Sequence, residues 1–496
     1  MKKRMLALLL CLCLLPVQAA FADSKTEMTD NWYEIFVRSF YDSDGDRVGD
    51  LNGITAKLDY LAELGIGGIW LMPIHPSPSY HGYDVKDFYA VNPEYGTMED
   101  FQNLLSEAHA RGIRVILDMV FNHTSNEHPW FQSARNDENS PYRNWFNWSE
   151  TPKSGYNKGG SQYYESRFVA SMPDLNLDNQ EVRDEIERIM RFWLEMGVDG
   201  FRLDAVTSFY TGSAFRNKEF LSWLSETAKA IRPDCFMVGE CWDSLYTIAD
   251  YYESGLDSFF LFPAAQRGGY PAQILLDAEQ KGTSLFNTFS LLMRNLDGRL
   301  LSPILDNHDM DRIASSLGGL NGATNIKMAF GLLCLMNGSV FVYYGDEIGM
   351  MGNGNDPNKR IGFFWDQKKN ITRVPQGATA ADYPFGSLES QQKNPLSVYN
   401  YYKTALNLRK DNPAIARGES ILYPLNDYPQ LFMMERVWED QSVLIAVNLD
   451  IDDVETPLPE TSRPYTELAG DVEIWGSASF DGETLKLPAY GIAVLK

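Results

Sequence analysis

At 496 residues, with 44% hydrophobic and 13% aromatic content, the chain can bury a large core and hold more than one domain, which excludes a disordered protein. Its 67 acidic against 43 basic residues give a net charge of −24, a sign that argues against nucleic acid as a partner. The same excess says little about an uncharged substrate, because acid on the surface also serves solubility alone.

The opening MKKRMLALLLCLCLLPVQAAFA joins a basic start (Lys2, Lys3, Arg4) to a short apolar run and an Ala20-Phe21-Ala22 cleavage pattern, the form of a secretory signal. Residues 1–22 are expected to be removed and the protein secreted, to the cell envelope or beyond. The apolar run is shorter than the roughly 20 residues a spanning helix needs, and no later segment qualifies, so no membrane span is expected in the mature chain. Cys11 and Cys13 leave with the signal. Cys235 and Cys241 bracket a strand-like run, where about 3.3 Å per residue holds them far beyond bridging distance. No disulfide framework is expected of these two and Cys334, and a zinc site has no support.

In chain order, the first strand candidate is Tyr33–Ser39. The loop YDSDGDRVGDLNG follows, with Asp42, Asp44, Asp46 and Asp50 at alternate or near-alternate positions, a dense set of oxygen ligands for a hard cation such as calcium. It is not an EF-hand, because Arg47 and Gly53 stand where Gly and Glu are required. Three segments, from Leu58, Leu104 and Ile186, then repeat one theme: an amphipathic helix pattern stops at Gly65, Gly112 or Gly197 and an apolar strand follows at once. Recurring helix-then-strand units predict a parallel sheet. Phe236–Glu240, Ser258–Phe262, Ser302–Asp306 and Ser339–Tyr344 bring the strand candidates to eight.

Residues 122–178, rich in Asn, Ser, Gly and aromatics without clean periodicity, read as a small inserted domain. Its rings (Trp130, Phe131, Trp145, Phe146, Trp148) leave two readings open, a wall of the substrate cleft or the core of the insertion. After about Gly418 the pattern changes to short alternating strands with no helix between, which predicts a C-terminal β-sandwich.

Four strings, DMVFNH (from Asp118), GFRLDAV (from Gly200), VGECW (from Val238) and LDNHD (from Leu305), each end a strand-like run with acidic or histidine residues. In a barrel of parallel strands every C-terminal strand end opens onto one face, so Asp118, Asp204, Glu240 and Asp309 are expected to share a pocket. His75, His109 and His128 read as structural.

In this order and spacing the strings resemble the signature regions of glycoside hydrolase family 13, the α-amylase family, over nearly the whole chain from Asn31. The resemblance implies an α/β fold: a (β/α)8 TIM barrel (residues 23–121 and 179–417), an inserted domain B after strand 3 (122–178) and a C-terminal antiparallel β-sandwich (418–496). It implies Asp204 as nucleophile, Glu240 as acid/base and Asp309 as the third carboxylate of a retaining mechanism. Arg202, two residues before Asp204 on the same side of its strand, is placed to keep the nucleophile ionised. His123, His308 and Tyr83, with Asp84 beside it in HGYDVKDF, match residues that bind the attacked sugar. The acidic loop resembles the calcium loop of the oligo-1,6-glucosidase branch, in which the carbonyl at the Val48 position also contributes, so Ca2+ is the implied cofactor.

Departures from the familiar amylase pattern refine this reading. Thr207 and Ser208 stand where typical α-amylases have a Lys-His pair, which puts a second calcium at the insertion in doubt. MPDLN (Met172–Asn176) resembles a group intermediate between oligo-1,6-glucosidases and neopullulanases, and Ala205 resembles members acting on α-1,4 bonds. The implied protein is a secreted, monomeric α-amylase acting on starch or maltooligosaccharides. An exo-acting α-glucosidase or glucanotransferase on the same scaffold is the alternative, and a non-catalytic carbohydrate-binding relative a remoter one.

Overall fold

A computed structural model describes residues 31–318, 321–366, 372–379, 382–461 and 463–496. The signal call on residues 1–22 lies outside them. Among the described residues, strands β1 (Trp32–Ile35), β2 (Gly68–Leu71) and β3 (Arg114–Met119) are followed by β4 (Trp148–Ser149), β5 (Tyr156–Gly159) and β6 (Gln162–Glu165), which form a small antiparallel sheet of their own. The main sheet resumes with β7 (Gly200–Leu203), β8 (Phe236–Gly239), β9 (Ser258–Leu261), β10 (Ser302–Pro303) and β11 (Phe341–Tyr343). Its order, β10-β9-β8-β7-β3-β2-β1-β11, is parallel throughout. The Ser339 N–H donates to the Leu301 carbonyl at 2.7 Å, joining the approaches to β11 and β10 and bringing the sheet to a nearly closed (β/α)8 barrel.

Alternation along each strand builds two cores. Ile35, Ile69, Leu71, Val115, Leu117, Phe201, Leu203 and Phe259 point outward against the helices. The inward residues Trp32, Trp70, Ile116, Phe236, Val238, Phe260 and Phe341 pack on one another, with Trp32 stacked on Phe236 (5.1 Å) and Phe341 (5.6 Å). Each ring pair adds about 0.5–1.5 kcal/mol to the area it buries. The same parity turns Glu34, Asp118 and Arg202 inward one layer higher, and the β3/β7 register sets Asp118 against Arg202. A charged layer therefore sits on an aromatic plug.

The helices stop where the glycines predict. Gly65 and Gly197 cap theirs with φ of 96° and 117°, and Gly112 has φ 70°. Gly200 is required for another reason: a Cβ there would lie 1.8 Å from the Phe236 carbonyl of the neighbouring strand. Several strands are shorter than expected. β1 ends at Ile35 because Val37–Phe40 winds into a short helix, and β10 ends at Pro303, freeing Leu305–Asp309 to turn across the barrel mouth.

Between β3 and β7, the helix Pro129–Asn136 packs on the small sheet. Phe131 stacks on Trp148 and meets Phe146 and Tyr164 edge-on, while Trp130 meets Trp145. These rings are the insertion's core and its packing surface, and none lines the main cavity, which settles that alternative against a cleft wall. At the C-terminus, β12 (Glu419–Tyr423), β13 (Leu431–Trp438), β14 (Gln441–Asn448), β15 (Val454–Pro457), β16 (Leu468–Val472), β17 (Ser479–Phe480), β18 (Thr484–Leu487) and β19 (Ile492–Leu495) form two antiparallel sheets, β12-β13-β14-β19-β16 and β15-β18-β17, around Leu431, Met433, Leu444, Leu485 and Leu487. Among the described residues, Cys235, Cys241 and Cys334 are buried and unbridged, and no helix is long and apolar enough to cross a membrane.

Candidate active site

A cavity of about 550 Å³ opens at the C-terminal ends of the barrel strands, where Asp204 and Glu240 directly follow β7 and β8 and Asp309 ends the turn after β10. All three line it, with Tyr83 and His123. Asp204 and Glu240 are nearly buried, whereas the Asp309 side chain is 37% exposed.

Arg202 organises the floor. Its Nη1 donates to Asp118 at 2.8 Å and to Asp204 at 2.7 Å, and its Nη2 stands 2.9 Å from Glu240 Oε1. One guanidinium thus gathers both carboxylates; nucleophilic attack with proton donation calls for such a pair, with carboxyl groups roughly 5 Å apart. The pairings are unequal, because Nη2 lacks hydrogen-bond alignment to Glu240. Burial, with Asp204 and Asp309 nearby, pushes the Glu240 carboxyl up to about 8 against the pull of Arg202. Glu240 therefore holds a proton at neutral pH while facing another carboxylate, the division of labour an acid/base needs.

The backbone contributes too. Ala205, directly after Asp204, has φ 47°, and its N–H donates to Glu240 Oε2 at 2.8 Å. A left-handed backbone at a residue bearing Cβ stores strain of about 1–2 kcal/mol. A β-branched residue fits this conformation worse than Ala.

His308 ties Asp309 to the barrel interior. Its Nδ1 lies 2.6 Å from Glu34, and its Nε2 lies 2.6 Å from the Tyr83 hydroxyl and 3.1 Å from Asp309. Burial opposes a charge on His308, but Asp309 and Glu34 outweigh it and push the imidazole up to about 10. Burial likewise works to raise Asp309, yet His308 and Arg360 override it and hold that carboxylate well below its usual range. Arg360 reaches Asp309 at 2.8 Å and Asp356 at 3.1 Å, and the Tyr80 hydroxyl donates to Asp356.

Several expected residues lie elsewhere than in the cavity wall. Asp118 is wholly buried beneath the floor, bonded to Arg202, Trp70 and Tyr83, so it supports the pocket instead of sharing it. Arg202 and His308 are also fully buried behind the lining. The Asp84 carboxylate turns away to accept from the Ser77 and Ser79 hydroxyls, which fixes its own loop. His123 does line the cavity, its Nε2 held 3.1 Å from the Tyr83 carbonyl and its charge disfavoured by burial. His75, His109 and His128 are structural: beside the Ala90 carbonyl, paired with Asp199, and capping a helix.

Sequence reasoning missed other wall residues. Trp242 is 52% exposed and stacked on Phe262 at 4.9 Å, a free ring face at the cavity edge; it closes the string VGECW, which was the one available signal. Phe168 and Val169 come from the insertion, and Asp356 and Arg360 from the loop after β11, with no motif marking them; Met172, also from the insertion, opens the string MPDLN. Arg167, beside Phe168, donates from its guanidinium to the Ser208 carbonyl, a direct tie between the insertion and the segment after Asp204.

In the acidic loop, Asp42, Asp44 and Asp50 bring carboxylate oxygens within 4.8 Å of one another, and no ion pair to them occurs among the described residues. That donor set of hard oxygens suits Ca2+. Asp46 stands outside the trio and accepts from the Val48 N–H at 2.6 Å.

Comparison with known proteins agrees with this geometry. Residues 34–418 match the family model described as "Alpha amylase, catalytic domain". The chain is 41% identical to Alpha-amylase 3 of Dictyoglomus thermophilum over 84% of each protein, and 30% identical to an oligo-1,6-glucosidase of Parageobacillus thermoglucosidasius over 84% of this chain and 89% of that one. Among solved structures, Eubacterium rectale Amy13B superposes with a TM-score of 0.90 at 38% identity (95% and 96% covered), and the α-amylase from H. orenii with 0.82 at 34% (95% and 99%). A match that spans the barrel, the insertion and the acids on the strand ends means that the chain belongs to the α-amylase family, glycoside hydrolase family 13.

Proposed function

We propose that this enzyme is a retaining α-amylase that hydrolyses α-1,4-glucosidic bonds of starch and maltooligosaccharides. The observation that carries the reading is the single guanidinium of Arg202 holding Asp204 and Glu240 together under one cavity. The Asp204 carboxylate attacks the anomeric carbon while Glu240 gives its proton to the glycosidic oxygen; that C–O bond breaks and a glycosyl ester on Asp204 forms. Glu240, now ionised, takes a proton from water, the resulting hydroxide attacks the anomeric carbon, and Asp204 is released. Asp309, kept anionic by His308 and Arg360, accepts from sugar hydroxyls and favours the positive charge that develops on the ring.

The pH dependence follows from Glu240. Only its protonated form starts the first step, so kcat/KM is expected to fall as pH rises through about 8. A kcat/KM profile flat to pH 10 would contradict this assignment.

The Asp42, Asp44, Asp50 cluster is the proposed Ca2+ site, with structural duty because the Asp50 carboxylate also caps the helix Leu51–Thr55. Binding to the folded state alone raises stability by mass action. Excess chelator is expected to lower the melting temperature of the native enzyme by several degrees and to leave that of Asp44→Asn nearly unchanged; coincident melts of the native enzyme with and without chelator would count against the site. Export after removal of residues 1–22 belongs to the same proposal.

A second reading, exo-acting α-glucosidase or glucanotransferase, is favoured by the Tyr80–Asp356–Arg360–Asp309 chain, which builds a bonded wall of the cavity beside Asp309. Relatives described as oligo-1,6-glucosidase and trehalose synthase accord with it. Product profiles on soluble starch, maltotriose, isomaltose and pullulan separate the two. Mixed oligosaccharides early in starch digestion are expected; glucose alone would establish the second reading.

A further inference from the structure

On the opposite, N-terminal face of the barrel a second cleft, of about 380 Å³, lies between the helix Lys281–Leu296 and the C-terminal sheet. Three arginines line it: Arg299, Arg417 and Arg436. Arg436 backs the cleft from β13 and is 2% exposed. It donates to the Gly418 carbonyl (3.2 Å), the Leu335 carbonyl (2.8 Å) and the Ser420 hydroxyl (2.6 Å), and its Nε has no partner. A second buried guanidinium, Arg409, stands behind it, bonded to the carbonyls of Cys334 (2.7 Å), Met336 (2.6 Å) and Gly338, again with an unpartnered Nε.

Among the described residues neither arginine forms an ion pair with a carboxylate; the acceptors named here are all neutral. The end of the helix Gly322–Cys334 supplies several of these carbonyls, and its dipole offers only about half a negative charge against two full positive ones. Each arginine consequently feels burial first, and Arg436 feels Arg409 next, which draws its affinity for a proton down. Buried charges without counter-ions are expensive, and proteins rarely leave them so. The exposed Asp297 and Glu419 stand at the cleft, yet neither reaches Arg409 or Arg436 in an ion pair.

We propose that this cleft binds a small oxyanion, with Arg436, Arg299 and the Ser420 hydroxyl as its donors, and that the anion supplies the missing counter-charge for the Arg409–Arg436 pair. Guanidinium forks suit planar or tetrahedral oxygen anions, and Asn337 adds an amide donor to the wall. The site faces away from Asp204 and Glu240, so it acts on the junction between the barrel and the C-terminal sheets and leaves the chemistry alone.

The test is calorimetric titration of the full chain with sulfate, acetate and chloride in parallel, in a low-salt buffer. Saturable binding of sulfate or acetate in the millimolar range or tighter is expected, at least tenfold weaker in Arg299→Gln, an exposed position whose change spares the buried pair, and in Ser420→Ala, which also takes one acceptor from Arg436. Asp204→Asn is expected to bind as the unaltered chain does. No saturable binding, binding of chloride alone, or binding unchanged in both variants would each overturn the proposal, the last by locating the anion elsewhere.

Discussion

Asp204→Asn is expected to fold with an unchanged melting profile and to lose at least about four orders of magnitude in kcat, because the amide cannot form the glycosyl ester and the surrounding donors and acids remain in place. Oligosaccharide binding should persist, since Tyr83, His123 and Asp309 still line the cavity. Initial rates on maltotriose, together with calorimetric binding of the same sugar, check both halves. Residual turnover within tenfold of the unaltered enzyme would remove Asp204 from the nucleophile's role.

The largest expected effect on stability lies one layer lower. Among the described residues, Arg202→Met strips the one guanidinium bonded to Asp118, a carboxylate with no exposed side-chain surface, and leaves Asp204 without its charge partner. Removing one partner of a buried pair costs about 3–5 kcal/mol, most of it the penalty of the charge left behind. Burial already pushes Asp118 up to about 6 against the pull of Arg202, so without Arg202 that group takes a proton or the layer opens. Thermal or denaturant unfolding is expected to show this loss, and Asp118→Asn added to Arg202→Met to restore a good part of it. Additive losses in the double variant would mean that Arg202 acts through packing alone.

The barrel was legible because its signals are local. Glycine-stopped helices followed at once by apolar strands fix the parallel sheet, and alternation along β3 and β7 alone turns Asp118 and Arg202 to the same side. The three carboxylates were legible because strand ends converge whatever the loops do. What failed depended on partners outside the motifs themselves. Nothing in HGYDVKDF shows that Ser77 and Ser79 claim the Asp84 carboxylate, and nothing near Asp309 announces Arg360, 51 residues onward. Glu34 sits in a strand whose pattern reads as apolar, yet it holds His308 from below. The insertion's aromatics were ambiguous for a general reason: a ring suits a sugar face and a small core equally well, and only burial decides.

The central claim is that Asp204 and Glu240, held by one arginine, act on one sugar with net retention. Proton NMR of the first-formed products of maltooligosaccharide hydrolysis, recorded before mutarotation, tests it most directly. The account predicts the α-anomer as the initial product; a β-anomer appearing first would mean that water attacks the anomeric carbon directly, with no glycosyl ester on Asp204.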